Sequence, residues 1–323
     1  MSFAKFKLAV VIPAYRTENE ILDVLQGIPT FIRYIIVVDD ASPDSSANLV
    51  AAAAKRNKRI VLVRHEKNQG VGGAMVTGFK KALDLGAEIV IKLDGDGQMD
   101  PRYIPALITP LIAGEADYAK GNRFRDFSAL RQMPFVRRIG NLGLSFLTKA
   151  ATGYWNIFDP TNGYFAISAD VLAQLPLDRI DKGYYFETSM LSRLYLLDAF
   201  VQDVTIPARY RNEVSSLSIK RVLFEFPYKL TRTLIKRIIL KYFIFDFSMM
   251  SIYLLTGIPL LLFGLIFGIT KWIQYAELGI AAPTGTVILP TLSVILAIQI
   301  LLSAIEIDLN AAPRKAISKA LSA

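Results

Sequence analysis

The sequence predicts an α/β fold, a mostly parallel sheet with helices on both faces, continued by a basic amphipathic segment and a two-helix membrane hairpin. Three observations lead there. Short apolar runs alternate with stretches of helical spacing through residue 93. Two stretches after residue 245 carry no charge over 24 and 20 positions. Just before them lies a dense run of Lys and Arg.

The apolar run from Leu8 to Ile12 is too short for a signal peptide and reads as a buried first strand. Similar runs follow at Tyr34 to Val38, Ile60 to Val63 and Glu88 to Leu93, separated by helical stretches such as Ser45 to Ala54 and Val71 to Leu85. Strands alternating with helices imply a parallel sheet. In such sheets ligands bind beyond the carboxyl ends of the strands. Here those ends carry Pro13-Ala14-Tyr15, Asp39-Asp40 and Asp94-Gly95-Asp96.

Phe247 to Thr270 and Thr286 to Ile305 contain no charged residue. At about 1.5 Å per residue each spans a hydrocarbon core of about 30 Å. Pro259 and Pro290 are tolerated in membrane helices. The connector Lys271 to Gly285 is short, so both outer flanks face the same side. Between Arg209 and Lys241 nine basic residues stand against Glu213 and Glu225, which places seven of the net nine positive charges there. Within Ser218 to Phe245 the apolar residues recur at helical spacing, a pattern suited to amphipathic helices on an anionic leaflet. The positive-inside rule puts this segment, the N-terminal domain and the Arg314-Lys315-Lys319 tail in the cytoplasm of an integral inner-membrane protein. The expected organisation is a domain over 1–217, interfacial helices over 218–246, two membrane helices within 247–306 and a tail over 307–323.

Composition narrows the chemistry. The 323 residues are 53% hydrophobic, carry a net charge of +9, and include no cysteine and one histidine. Disulfides, thiolate zinc sites, cysteine nucleophiles and His-rich metal clusters are excluded. Nucleic acid is disfavoured as a partner because the charge abuts a membrane span and no nucleic-acid module is recognisable. The strongest motif is Lys92-Leu-Asp-Gly-Asp-Gly-Gln-Met99. Two carboxylates two residues apart on a glycine-loosened turn can approach one hard cation and leave coordination sites for diphosphate oxygens. Asp39, Asp40 and Ser42 either accept hydrogen bonds from a nucleobase or ribose or cap the next helix. Gly70-Val-Gly-Gly73 fits neither the Walker nor the Rossmann spacing and reads as a helix start. His65 reads as structural or solvated.

The ordered motifs Val11-Ile-Pro-Ala-Tyr15, Val37-Val-Asp-Asp-Ala-Ser42, Asn68-Gln-Gly70, Asp94-Gly-Asp-Gly-Gln98, Gly121-Asn-Arg-Phe124 and Asp159-Pro-Thr-Asn-Gly-Tyr164 resemble family 2 glycosyltransferases. More narrowly they resemble the polyprenyl-phosphate glycosyltransferases, which include dolichol-phosphate mannose synthases and bacterial undecaprenyl-phosphate glucosyltransferases. The resemblance covers about residues 7 to 217. It implies a GT-A fold, a divalent cation (Mg²⁺ or Mn²⁺), and inverting transfer of a sugar from a nucleotide diphosphate donor to a lipid phosphate.

On matching positions, the resemblance gives the metal and donor diphosphate to Asp94, Asp96 and Gln98, and the nucleoside to Pro13, Ala14, Tyr15 and Asp39 or Asp40. Glu18 matches an acidic donor contact, although the family has Tyr-Asn-Glu where this chain has Tyr15-Arg-Thr-Glu18. The acceptor phosphate falls to Arg123, Arg137 or Arg138, and Arg211 with Ser215; guanidinium forks suit phosphate and keep their charge. Glu213 and Ser216 stand where the family often has Gly and Lys. Asp159 matches the residue read as catalytic base. A phosphate monoester has its second pKa at about 6, so the acceptor is already largely dianionic, and a role in orienting acceptor or sugar is preferred.

The preferred reaction is glucosyl transfer from UDP-glucose to undecaprenyl phosphate, with GDP-mannose or another UDP-sugar as alternative donors. A processive polysaccharide synthase would carry a Gln-x-x-Arg-Trp motif and more spans, which this sequence lacks; its tryptophans are Trp155 and Trp272. A non-catalytic nucleotide-binding membrane scaffold is the non-enzymatic rival. Homo-oligomer formation is left open.

Overall fold

The structure is a computed structural model describing residues 3–122, 135–160, 162–206 and 219–321, without the side chains of 135–141 and 219–224. Seven strands form one sheet: β1 (Leu8–Ala14), β2 (Tyr34–Asp39), β3 (Ile60–Arg64), β4 (Ile89–Lys92), β5 (Tyr118–Asn122), β6 (Phe165–Ser168) and β7 (Val201–Thr205). Their order is β3-β2-β1-β4-β6-β5-β7. The first four pair in parallel, as the strand and helix alternation requires. β6 runs antiparallel to both β4 and β5, which makes the sheet mixed.

The central strands are apolar on both faces because both faces are covered. Leu8, Val10, Ile12, Ile35, Val37, Ile89 and Ile91 enter one core, and their alternates Ala9, Val11, Ile36, Val38 and Val90 enter the other. The helices in chain order are α1 (Ile21–Gly27), α2 (Ser46–Arg56), α3 (Gly70–Asp84), α4 (Ile104–Ile112), α5 (Phe135–Thr152), α6 (Ala169–Gln174), α7 (Phe186–Leu196), α8 (Ile219–Ile239), α9 (Met249–Leu278) and α10 (Thr284–Asn310). α3 lies close on β1: a Cβ at Gly78 would stand 2.2 Å from Val11 Cγ1.

The chain forms two compact units, one of residues 1–234 with 313–323 and one of 235–312. The boundary between these units falls inside α8, and residues 313–323 belong to the first unit. Phe226, Leu230 and Leu234 of α8 pack on Leu144, Ala151 and Tyr185, so this apolar stripe is used within the first unit. Lys229 of the same helix pairs with Asp181 at 2.9 Å and Glu225 at 3.0 Å. The tail ends against Asp117, whose buried carboxylate accepts hydrogen bonds from the Ile317 and Ser318 amides and the Ser318 hydroxyl.

In the second unit, α9 and α10 are both long and apolar enough to cross a membrane, and most of their surface is not covered by protein. They extend through most of the stretch expected to be a connector and leave a turn at Gly279–Pro283, where Gly279 takes φ +65°. A Cβ at Gly264 would lie 2.8 Å from Val294 Cγ2, so its absence lets the two helices approach closely. Arg237 and Tyr242 both bind Asp308 of α10: the guanidinium donates at 2.7 and 2.9 Å, the phenol at 2.7 Å. Arg237, one of the nine basic residues between Arg209 and Lys241, is thus buried in an ion pair.

Candidate active site

Parallel strands β1, β2 and β4 lie side by side, and their carboxyl ends bring Pro13 to Tyr15, Asp39-Asp40 and Asp94 to Gln98 to one edge of the sheet. Gly95 packs the acidic turn against the end of β1; a Cβ there would stand 3.2 Å from Thr17 Cγ2 and 3.3 Å from the Pro13 carbonyl oxygen. Tyr15 is exposed, with the Arg16 guanidinium 5.4 Å from its ring centre. This ring presents a stacking surface.

The two neighbouring aspartates have different surroundings. Asp40 Oδ1 lies 2.7 Å from His65 Nδ1 and accepts the Gln69 amide, while Oδ2 accepts the Gly70 amide. It holds the start of α3. Asp39 is also buried, but its Oδ1 has no hydrogen-bond partner. Burial pushes the Asp39 carboxyl above its ordinary range, opposed by the Ser42 amide and Arg64. A buried orphan acceptor at a strand end is what a nucleobase or ribose donor would satisfy.

Neither aspartate caps α2. That task falls to Asp44, which accepts the Ser42 hydroxyl and the Ser46 and Glu18 amides, and to Glu18, whose Oε2 accepts the Ser45 amide. Although burial opposes it, these bonds hold the Asp44 carboxyl down at about 2. The glycine run at the start of α3 is likewise committed: the Gly72 and Gly73 amides both donate to the Lys182 carbonyl. It opens a helix rather than a phosphate cradle.

Asp94 and Asp96 sit on one turn, and Asp96 Oδ1 accepts the Gln98 amide at 3.0 Å. Asp94 Oδ1 is 2.7 Å from Lys92 Nζ, and Glu187 Oε1 approaches the same ammonium at 3.5 Å. Burial pushes Lys92 down, but the two carboxylates outweigh it and its pKa is raised. Burial raises Glu187 despite Lys92. Among the described residues no three His, Asp or Glu side chains converge as a metal cage. An all-oxygen pair on one open turn fits a hard cation that takes further ligands from a diphosphate.

Asp159 is wholly buried. Its segment is fixed from below: Lys120 Nζ donates to the Asp159 carbonyl, and Asp203 Oδ2 accepts from the Phe158 amide at 2.8 Å and Asn122 Nδ2 at 3.1 Å. Lys120, Glu187 and Asp203 escaped the motif reading, and Lys92 was read only as the first residue of the acidic motif. The signal for the two lysines is a charge inside an otherwise uncharged strand. Arg123, Arg211 and Ser215 lie outside the described residues, and Arg137 and Arg138 fall on α5 where side chains are not described.

A mostly parallel sheet with carboxylates gathered at its strand ends defines an α/β protein whose ligand crevice lies at that edge. The sequence model of glycosyl transferase family 2 matches residues 9–175, more than half of the chain. The chain belongs to that family and is a glycosyltransferase.

Among its relatives, a UDP-N-acetylglucosamine–dolichyl-phosphate N-acetylglucosaminyltransferase of Methanococcus voltae is 35% identical over 179 residues, 51% of this chain and 71% of the relative. A polyprenol monophosphomannose synthase of Mycolicibacterium smegmatis is 30% identical, covering 67% and 84%. An undecaprenyl-phosphate mannosyltransferase of Micrococcus luteus is 30% identical, covering 53% and 70%. Of solved structures, the mannosyltransferase PcManGT of Pyrobaculum calidifontis with GDP-Man and Mn²⁺ has a TM-score of 0.44 at 18% identity, covering 64% of this chain and 58% of that one.

Proposed function

We propose that the protein transfers a sugar from a nucleoside diphosphate donor to a membrane polyprenyl phosphate. The observation that carries this reading is the shared strand-end edge holding the Asp39 orphan oxygen and the Asp94–Asp96 turn, in a chain with two membrane-length helices. The relatives' names support the acceptor class and point to N-acetylglucosaminyl and mannosyl groups. UDP-N-acetylglucosamine and GDP-mannose therefore precede UDP-glucose in the donor panel.

In this reading Pro13, Ala14, the Tyr15 ring and Asp39 hold the nucleoside, while Asp40 and Glu18 act through the backbone they cap. Asp94, Asp96 and Gln98 would hold Mg²⁺ or Mn²⁺, and the bound cation would supply positive charge to offset that of the leaving diphosphate. An acceptor phosphate oxygen forms the new bond to the anomeric carbon as the bond to diphosphate breaks, with inversion. The attacking phosphate is dianionic at neutral pH, so no proton has to be removed. Complete burial of Asp159 supports an orienting role. Arg123, Arg137, Arg138, Arg211 and Ser215 are assigned the acceptor phosphate. The short connector makes the two apolar helices a hairpin whose outer ends face one side, and the positive-inside rule makes that side cytoplasmic.

The test incubates purified full-length protein with each labelled nucleotide sugar and undecaprenyl phosphate, with mass spectrometry of the lipid. A lipid-phosphate-sugar is expected with one donor. Donor binding without any lipid product across the panel would remove the polyprenyl-phosphate acceptor from this reading.

A further inference from the structure

Lys92 closes β4 with its side chain only 2% exposed, an unfavourable place for an ammonium unless carboxylates surround it. Asp94 and Glu187 do so at 2.7 and 3.5 Å. Glu187 stands in the first turn of α7, where the helix end favours a negative charge. Gly163 closes another side: a Cβ there would lie 2.5 Å from Lys92 Nζ and 3.1 Å from Glu187 Oε1. The ammonium thus sits at a junction of β4, the loop after Asp159 and α7. Two carboxylates share one cation. If Asp94 turns toward a divalent ion, Lys92 loses its nearer partner and Glu187 remains.

We propose that Glu187 is a positioning residue that retains Lys92 when Asp94 engages the divalent cation, so that metal loading leaves no buried ammonium unpaired. This rests on the reading of Asp94 and Asp96 as metal-binding. Glu187 acts through Lys92 and touches neither donor nor metal. In Glu187→Gln, Lys92 has Asp94 as its sole carboxylate partner of the pair and competes with the cation for it.

The test is titration of full-length protein in detergent with Mn²⁺ and UDP, reading free Mn²⁺ by electron paramagnetic resonance, beside the metal-free melting temperature. Glu187→Gln is expected to weaken Mn²⁺ binding about tenfold, the scale of one coupling between contacting charges. Glu187→Asp should recover part of it. The apparent KM for Mn²⁺ should rise with kcat at saturating Mn²⁺ near the parent value, whereas a merely structural defect would lower kcat at every concentration. Unchanged Mn²⁺ affinity in folded Glu187→Gln overturns the proposal.

If Glu187→Gln melts too low to assay, the double variant Lys92→Met/Glu187→Gln carries the test. With no ammonium to retain, its Mn²⁺ binding should equal or exceed the parent's, and weaker binding overturns the proposal by making Glu187 a direct ligand. Undiminished Mn²⁺ binding by Asp94→Asn would instead overturn the metal reading beneath it.

Discussion

Asp40 and His65 form a buried pair, with 2.7 Å between Oδ1 and Nδ1, and the same carboxylate receives the amides that begin α3. Its immediate neighbour Asp39 keeps an unpartnered oxygen. The pair of aspartates therefore divides into a structural and a ligand-facing member. Removing one partner of such a buried polar network costs about 3 kcal/mol, so Asp40→Ala should lower the melting temperature markedly. Asp39→Asn should hold or raise it, because a buried charge is removed, and should weaken UDP binding about tenfold. Calorimetric titration with UDP beside thermal unfolding checks both; parent-like UDP affinity in Asp39→Asn would assign the nucleoside contact elsewhere.

That division was not legible in Val37-Val-Asp-Asp, because Asp40 is claimed by amides about 30 residues further along. What was legible is what repeats locally: the four parallel strands, their acidic ends and the two uncharged helices. Lys92 was visible as the first residue of the acidic motif, but its partner Glu187 lies on another element and follows no spacing rule. The ion pairs of the basic segment were hidden for the same reason. Lys229 and Arg237 entered only as two of its nine basic residues, and their partners Asp181 and Asp308 lie far along the chain.

Asp44 supplies a pH signature. Its folded pKa of about 2 lies below the ordinary 3.8, so the protonated form is disfavoured by folding. The contribution is present above the ordinary value and disappears as pH falls through the interval down to about 2. Denaturant unfolding of the parent and Asp44→Asn should therefore differ most above pH 4 and converge toward pH 2. A difference that persisted unchanged at pH 2 would show that shape rather than charge makes the cap.

The tail contact offers a second structural prediction. Asp117 is fully buried and accepts Phe200 N at 2.7 Å and Ser318 N at 2.8 Å, so it joins β7's approach to a segment 201 residues away. In full-length Ser318→Ala one hydroxyl donor is lost and the amides remain, a change of about 1 kcal/mol. Asp117→Asn removes the charge that three tail donors share and should open the tail. Amide exchange at Ile317 and Ser318 should accelerate strongly in Asp117→Asn and slightly in Ser318→Ala. Equal exchange in both variants and the parent would show that the tail is held by Leu321 and its neighbours instead.

Within the helical unit, Arg237 and Asp308 form a buried ion pair. Its geometry is bidentate, and Tyr242 fills a further lone pair on Asp308 Oδ1. Such a pair is costly to break and cheap to replace, because the penalty lies in stranding one buried charge. Arg237→Met should therefore destabilise the unit by about 3–5 kcal/mol and Asp308→Leu by a similar amount. The double variant should return to within about 1 kcal/mol of the parent, since no charge is left unpaired. Thermal unfolding of all four proteins in the same detergent closes this cycle. Additive losses in the double variant would mean that the two residues stabilise separate contacts, and that the fork contributes no coupling of its own.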